Sequence, residues 1–81
     1  MKLQVKLFAR AKDLAGSDNV ELDLPEACNV ADLRDALVER FPDMNSLAPS
    51  LLVAVNTEYA DDSTPLDRAA EVACFPPVSG G

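Results

Sequence analysis

The sequence ends in a slim, uncharged segment: Pro76, Pro77, Val78, Ser79, Gly80 and Gly81. Its only charge is the terminal carboxylate, so the segment can enter a narrow cleft with little desolvation cost. Glycine has no Cβ atom, which lets an enzyme and a nucleophile approach the last carbonyl closely. The sequence therefore predicts that the carboxylate of Gly81 reacts and that Gly80 provides clearance.

This chemistry requires another enzyme, because a carboxylate resists nucleophiles until one of its oxygens belongs to a leaving group. Adenylation by ATP is the usual biological route, and sulfur or an amine can then displace AMP. The chain itself has no His and no nucleophile–base pair, which excludes a catalytic triad. We therefore expect a substrate of other enzymes, without catalytic residues of its own.

The composition fits one small domain with a single core. The chain has 81 residues, of which 14 are acidic and 7 basic, and its formal net charge is −7. This acidic balance argues against nucleic acid and against an anionic membrane surface as partners. Two interpretations remain open: a charge that provides solubility, and an acidic surface that docks on basic partners.

Neither metal nor thiol chemistry is expected. Cys28 and Cys74 lack the paired spacing of a metal site, and no His completes a ligand set. We expect no bound cofactor and interpret both cysteines as reduced and structural.

The N-terminal residues alternate in polarity, unlike a signal peptide, and the longest apolar run, residues 51–55, is too short to span a bilayer. A cytoplasmic location is expected.

Alternating polarity predicts two N-terminal strands. Residues 3–7 and residues 20–24 have the two-residue period of a strand covered on one side. Their separation suggests an antiparallel pair. Between them, residues 11–16 predict one turn of helix at best, ending at Gly16.

The clearest helix follows Asn29, a good N-cap that Asp32 reinforces in the manner of a capping box. Pro42 ends this helix. Its apolar residues recur at helical spacing and form one stripe that we expect to face the core: Val30, Leu33, Ala36, Leu37 and Phe41.

The second half of the sequence predicts three more strands. Residues 51–55 are continuously apolar and, with Asn56, predict a buried strand in a central position. Residues 58–60 predict a short edge strand, and residues 61–70 a polar loop held in place by Leu66. Residues 71–75 predict the last strand.

The predicted order is strand, strand, helix, strand, short strand, strand. One main helix packed on one face of a mixed sheet is an α+β architecture. Residues 1–75 form this domain, and residues 76–81 form a flexible C-terminal tail that ends in Gly-Gly.

Aromatic residues are predicted on the sheet face that the helix leaves uncovered. If Leu7 faces the helix, Phe8 points away from it. If Cys74 faces the helix, Phe75 also points away, and Tyr59 on the short strand extends the same surface. Provided that the first and last strands are neighbours, these residues form an interaction patch beside the tail.

The sequence resembles the ubiquitin-fold (β-grasp) sulfur carriers, most closely the small subunits of molybdopterin synthase. The resemblance covers essentially the whole chain, and its most specific part is the final "FPPVSGG". The family usually has an acidic turn that contains a Gly before the last strand. Residues 67–70 of this chain contain no Gly, so the geometry of that turn stays open. The other matching stretches are "LFARAKDLAG", "LVAVNTEYA" and "PL" at 65–66.

The resemblance implies a β-grasp fold and a cycle of sulfur transfer for molybdenum cofactor biosynthesis. A ubiquitin-activating-type adenylyltransferase adenylates Gly81 with ATP, and a sulfur donor protein converts the adenylate to a thiocarboxylate. The large subunit of molybdopterin synthase then takes up the tail in a heterotetramer, and the sulfur passes to cyclic pyranopterin monophosphate. The implied partner-binding residues are Phe8, Tyr59, Phe75, Pro76, Pro77, Val78 and Ser79.

Three alternatives remain open. A thiazole-forming sulfur carrier for thiamine shares the fold and the Gly-Gly end. A ubiquitin-like protein modifier can end identically, and conjugates to lysines would distinguish it. A simple adaptor domain with idle glycines predicts that deleting Gly80 and Gly81 has no effect.

Overall fold

The computed structural model of the protein describes residues 1–77. The strands are β1 Lys2–Leu7, β2 Asn19–Asp23, β3 Cys28–Asn29, β4 Leu52–Val55, β5 Glu58–Ala60, β6 Pro65–Leu66 and β7 Val72–Phe75. The helices are α1 Ala9–Ala15 and α2 Val30–Arg40, followed by two short 3-10 helices, Pro42–Met44 and Ala48–Ser50.

Five strands form one mixed sheet in the order β2-β1-β7-β4-β5. The antiparallel pair of β1 and β2 is confirmed, and β5 is the short edge strand that was predicted. The central strand is β7, parallel to β1 and antiparallel to β4. The prediction of a central position for residues 51–56 is confirmed in that β4 is an interior strand, paired with both β7 and β5, although the middle strand of the five is β7.

The main helix α2 packs on one face of this sheet, which confirms the α+β prediction. At its start, the amide of Asp32 donates to Asn29 Oδ1 at 3.1 Å, and the amide of Asn29 donates to Asp32 Oδ2 at 3.0 Å. These two bonds complete the predicted capping box. The apolar stripe of α2 packs against the sheet side chains that point toward it, and together they form one core. Buried members of this core include Leu3, Val5, Leu7, Val20, Leu22, Val30, Leu33, Leu37, Val53, Val72 and Cys74.

Helix α1 is longer than the single turn that the sequence predicted. It has seven residues and ends at Ala15, and Gly16 caps it with φ 75° and donates its amide to Lys12 O at 2.9 Å. Helices this short gain most of their stability from tertiary packing. Here Ala11 is fully buried and Leu14 packs against the core. This packing stabilises α1, and helix propensity read from the sequence does not include it.

The predicted polar loop, residues 61–70, contains a strand that the sequence did not reveal. Leu66 is buried, as predicted, but it belongs to β6, which pairs with β3 in a separate two-stranded sheet. Strands of two residues are too short to show any alternation. The partner Cys28 is opposite Leu66 in the register, so this pairing fastens the loop to the start of α2.

The turn before β7 forms without glycine. The amide of Ala70 donates to Asp67 O at 3.1 Å, and the amide of Ala69 donates to the Asp67 carboxylate at 2.9 Å. An Asp side chain that accepts a bond from the amide two residues later closes such a turn by itself. No residue of this turn has a positive φ, so none requires glycine.

Strand β7 ends at Phe75, and Pro76 and Pro77 have no regular secondary structure. The rest of the predicted tail lies outside the described residues, so the tail's boundary and its flexibility stay predictions. The tail residues outside the described range are Val78, Ser79, Gly80 and Gly81.

Within residues 1–77, neither helix combines the length and the apolar content needed to cross a bilayer.

Candidate functional site

The sheet face opposite α2, here called the open face, carries apolar side chains that the core does not use. The large hydrophobic residues exposed within residues 1–77 are Phe8, Leu52 and Tyr59. All of them lie on the open face, together with the half-buried Phe75. These four residues are the open-face patch.

Phe8 and Phe75 stack on each other at the centre of the patch. Their ring centroids are 4.7 Å apart and the ring planes differ by 11°. The pairing of β1 with β7 places Leu7 beside Cys74, and the amide of Phe8 donates to Cys74 O at 3.3 Å. The predicted aromatic pair is therefore confirmed, and Phe8 keeps 42% of its surface exposed.

Tyr59 and Leu52 extend the patch across β4 and β5. Tyr59, predicted on this face, is 76% exposed and lies opposite Ala54 in the register. Leu52 was missed: it is opposite Phe75 and 38% exposed. The continuous apolar run of residues 51–55 predicts a buried strand, but β4 buries Val53 and exposes Leu52. An uninterrupted apolar strand beside a predicted patch was the signal for this residue.

A groove of about 500 Å³ crosses the open face. Its floor consists of the small side chains of Ala54 and Ala73, which leave space between the aromatic rings and the neighbouring polar residues. A shallow apolar groove with a polar margin suits a protein partner better than a deep cavity would. Other lining residues include Gln4, Lys6, Phe8, Asn19, Thr57, Tyr59, Glu71 and Phe75.

Two turns with strained backbone hold the patch in place. Asn56 and Thr57 join β4 to β5 with φ angles of 52° and 72°, as a two-residue hairpin turn requires. Ala9 has φ 53° immediately after Phe8, where the chain turns from β1 into α1. Non-glycine residues with positive φ are uncommon and concentrate at functional sites, and all three of these flank the patch.

The predicted tail residues that the structure describes follow the patch directly. Pro76 is half-buried and Pro77 is exposed, and both come immediately after Phe75. Proline cannot donate a ladder hydrogen bond, so the diproline ends β7 and favours an extended path. The four residues predicted to enter a partner or to react, Val78, Ser79, Gly80 and Gly81, lie outside the described residues.

The two cysteines are free and buried. Burial raises the pKa of the Cys74 thiol to about 12, and the neighbouring Arg34 offsets only part of this effect. Burial also raises the pKa of Cys28, and the carboxylate of Asp32 acts in the same direction. Because the thiolate is the reactive form, both environments suppress nucleophilic reactivity, which agrees with a structural role.

Comparison with known proteins agrees with this fold. The model of the ThiS family matches residues 5–81. The molybdopterin synthase sulfur carrier subunit of Arabidopsis thaliana is 35% identical over 81 residues, covering 100% of this chain and 84% of that protein. The corresponding protein of Caenorhabditis elegans is 31% identical, with 100% and 99% covered.

Solved structures show the same architecture. SAMP1 from Haloferax volcanii superimposes with a TM-score of 0.86, 32% identity and complete coverage of both chains. A putative molybdopterin converting factor, subunit 1, from Pyrococcus furiosus has a TM-score of 0.85 and 32% identity, with 96% of this chain and 99% of that chain covered. A protein in the complex of subunits 1 and 2 of the Molybdopterin-converting factor from Helicobacter pylori, at 24% identity and a TM-score of 0.67 over 100% of both chains, shares the fold. These neighbours confirm the ubiquitin-like β-grasp fold, and the chain belongs to the ThiS family.

Proposed function

We propose that this protein is the sulfur-carrier subunit of molybdopterin synthase and that Gly81 carries the sulfur as a thiocarboxylate. The observation that carries the proposal is the full-length similarity to relatives named molybdopterin synthase sulfur carrier subunit. The open-face patch adds a physical argument, because its stacked rings lie at the base of the segment that leads to Gly81.

The proposed cycle activates an inert carboxylate and then replaces one of its oxygens. The carboxylate of Gly81 attacks the α-phosphate of ATP, which releases pyrophosphate and gives an acyl-adenylate. Sulfur at the oxidation level of sulfide, delivered by the donor protein, attacks the acyl carbon, displaces AMP and gives the thiocarboxylate. On the large subunit, this sulfur passes to cyclic pyranopterin monophosphate, and the carboxylate is regenerated. No residue of this chain other than Gly81 exchanges an atom.

Three protein partners are part of the proposal: the large subunit of molybdopterin synthase, a ubiquitin-activating-type adenylyltransferase, and the sulfur donor. ATP belongs to the adenylyltransferase and not to this chain. The large subunit has the most support, because relatives are named as subunits and a chain of this fold occurs in a two-subunit complex. The expected cytoplasmic location stays a prediction.

In this cycle the chain's residues position the tail rather than react. Phe8 and Phe75 anchor the domain on its partner, and the diproline directs the chain away from the sheet in an extended form. Gly80 and Gly81 then allow close approach of the partner's backbone to the reacting carbonyl. A fixed anchor and a slim end together determine where that carbonyl lies, and geometry of this kind dominates reaction rates.

The intact mass of the protein isolated from its own cells tests the proposal and also establishes its C-terminus. We expect a fraction whose mass exceeds that of the carboxylate form by one oxygen-to-sulfur exchange, and alkylation should place the sulfur on Gly81. Cys28→Ser and Cys74→Ala variants should retain it. Absence of the exchange while molybdopterin is being made, or its loss in the folded cysteine variants, would contradict the proposal.

A second function, conjugation to other proteins, is favoured by one observation. A second solved structure, of H. volcanii small archaeal modifier protein 1, is 33% identical to this chain, with 95% of this chain and 98% of that chain covered. A modifier would form isopeptide bonds between Gly81 and lysines of other proteins. Peptide mapping of cell extracts for branched peptides that carry the end of this chain distinguishes the two functions.

A further inference from the structure

We propose that Lys6 and Lys12 form a basic rim beside Phe8 that contacts carboxylates of the partner docked on the open-face patch. The proposal rests on the proposed function, because it concerns the same partner. The proposal adds what the partner's surface must contain. That surface should have an apolar pocket for the stacked rings and Asp or Glu side chains at the border of this pocket.

The first observation is the pairing of the seven basic residues. Within residues 1–77, three of them form ion pairs with carboxylates, and a fourth lies over an aromatic ring. The remaining three, Lys6, Arg10 and Lys12, form no ion pair with any described residue. The four with partners are Lys2 with Glu21 at 3.7 Å, Arg34 with Asp62 at 2.8 Å, Arg68 with Glu26, and Arg40 at 5.5 Å from the Phe41 ring.

The second observation is the position of these cations. Lys6 is on β1 and points to the open face. Phe8 follows directly after β1 in an extended conformation and lines the same groove as Lys6. Lys12 lies one turn into α1, and Lys6, Phe8 and Lys12 together line a pocket of about 440 Å³. Asp18 lines this pocket as well, and none of the ion pairs within residues 1–77 joins it to either lysine. Both lysines are exposed, so both are accessible to a partner seated on Phe8.

The third argument is electrostatic. The chain carries 14 acidic residues, so its overall field attracts basic surfaces. Beside Phe8, two lysines and one aspartate line the pocket, which gives the rim a local excess of positive charge. A purely basic partner would face like charges at this rim, which disfavours docking. A partner with carboxylates opposite Lys6 and Lys12 is attracted there, and this local sign fixes its orientation over the patch. Charges at an interface rim act mainly through the association rate and its salt dependence.

The test measures association with the molybdopterin synthase large subunit of the same organism by stopped flow at several salt concentrations. The variant is Lys6→Gln with Lys12→Gln. The matched control, Lys2→Gln with Arg68→Gln, makes the net charge more negative by the same amount at two positions away from Phe8. Lys6→Arg with Lys12→Arg keeps the rim's charge. Melting temperatures establish that all variants are folded.

We expect the Gln variant of the rim to associate about tenfold more slowly at low salt, with a flatter salt dependence. The matched control and the Arg variant should stay close to the wild-type protein. Equal losses in the rim variant and the matched control would indicate a net-charge effect and overturn the proposal, as would an unchanged rim variant.

The Phe75→Ala variant separates this proposal from the proposed function. If Phe75→Ala weakens binding and the rim variant does not, the rim proposal is wrong, whereas the open-face patch remains the docking surface. If the folded wild-type protein does not bind the large subunit, the proposed function is wrong, and the rim proposal is overturned with it.

Discussion

The backbone amide of Asn56 donates to Glu71 O at 2.8 Å, and the amide of Glu71 donates to Asn56 Oδ1 at 2.9 Å. These reciprocal bonds fasten the turn between β4 and β5 to the residue that precedes β7. Tyr59 is on β5 and Phe75 is on β7, so one asparagine holds together two strands of the open-face patch. Asn also tolerates the φ of 52° at this position.

We predict different stability losses for two substitutions of Asn56. Asn56→Ala removes the side-chain acceptor and also forces alanine into the left-handed region, so we expect a loss of about 2 kcal/mol. Asn56→Gly removes only the acceptor and should cost about 1 kcal/mol. Urea unfolding of both variants provides the measurement. Equal losses would show that backbone strain does not contribute here.

Phe75→Ala should weaken binding to the large subunit by at least about 2 kcal/mol, because a stacked aromatic anchor would be lost. Its cost to the fold should stay below the roughly 3–5 kcal/mol of a core Phe→Ala change, since Phe75 points away from α2. Thermal unfolding and titration with the large subunit should be measured on the same protein. Unchanged affinity together with a large fall in Tm would place Phe75 in the core.

Leu52 and Val53 are adjacent and provide an internal control for the open face. Leu52→Ala should weaken binding to the large subunit while changing stability by less than about 1 kcal/mol, because the side chain is 38% exposed. Val53→Ala should destabilise by roughly 2 kcal/mol and leave the affinity of the folded protein unchanged, because Val53 is 1% exposed. The reverse pattern would contradict the assignment of the two faces of β4.

The buried thiol of Cys74 predicts a loss of stability at alkaline pH. Its pKa is about 12 in the native protein, against an ordinary value of 9.0, so the native state binds the proton more tightly than the unfolded state does. This stabilisation is complete below the ordinary pKa and is lost as the pH rises from there toward the native pKa. The slope contributed by Cys74 is up to about 1.4 kcal/mol per pH unit. Urea unfolding in this pH range should show a shallower decline for Cys74→Ala, and identical slopes would contradict the prediction.

Adding one alanine after Gly81 should abolish sulfur transfer and leave the fold intact. The reacting carbonyl would be displaced by about 3.5 Å, and smaller misplacements already slow reactions strongly. Thiocarboxylate formation and molybdopterin synthesis should be measured with a protein that proteases cannot trim. Full activity of the extended protein would contradict the role of Gly81. Deleting Gly80 and Gly81 completes the test, because an adaptor domain would not respond.

Residue order alone determined the parity of the strands and the limits of the main helix. Alternation along β1 and β7 placed Phe8 and Phe75 away from the core, and Asn29 with Asp32 marked the start of α2. These features are local, because a two-residue period and a capping box each involve only neighbours in the chain. The uncharged segment that ends in Gly80 and Gly81 is likewise visible without a structure.

Only the tertiary structure decided which distant residues meet. The parallel pairing of β1 with β7 turned two separate exposed rings into a stack, and the pairing of β4 with β7 added Leu52. The length of α1 depended on the burial of Ala11, and the strand β6 depended on a partner far away in the sequence. Within residues 1–77, the absence of an ion pair at Lys6 and Lys12 is also a three-dimensional result. Such contacts join residues whose spacing carries no periodic signal, and packing of the whole core selects among them.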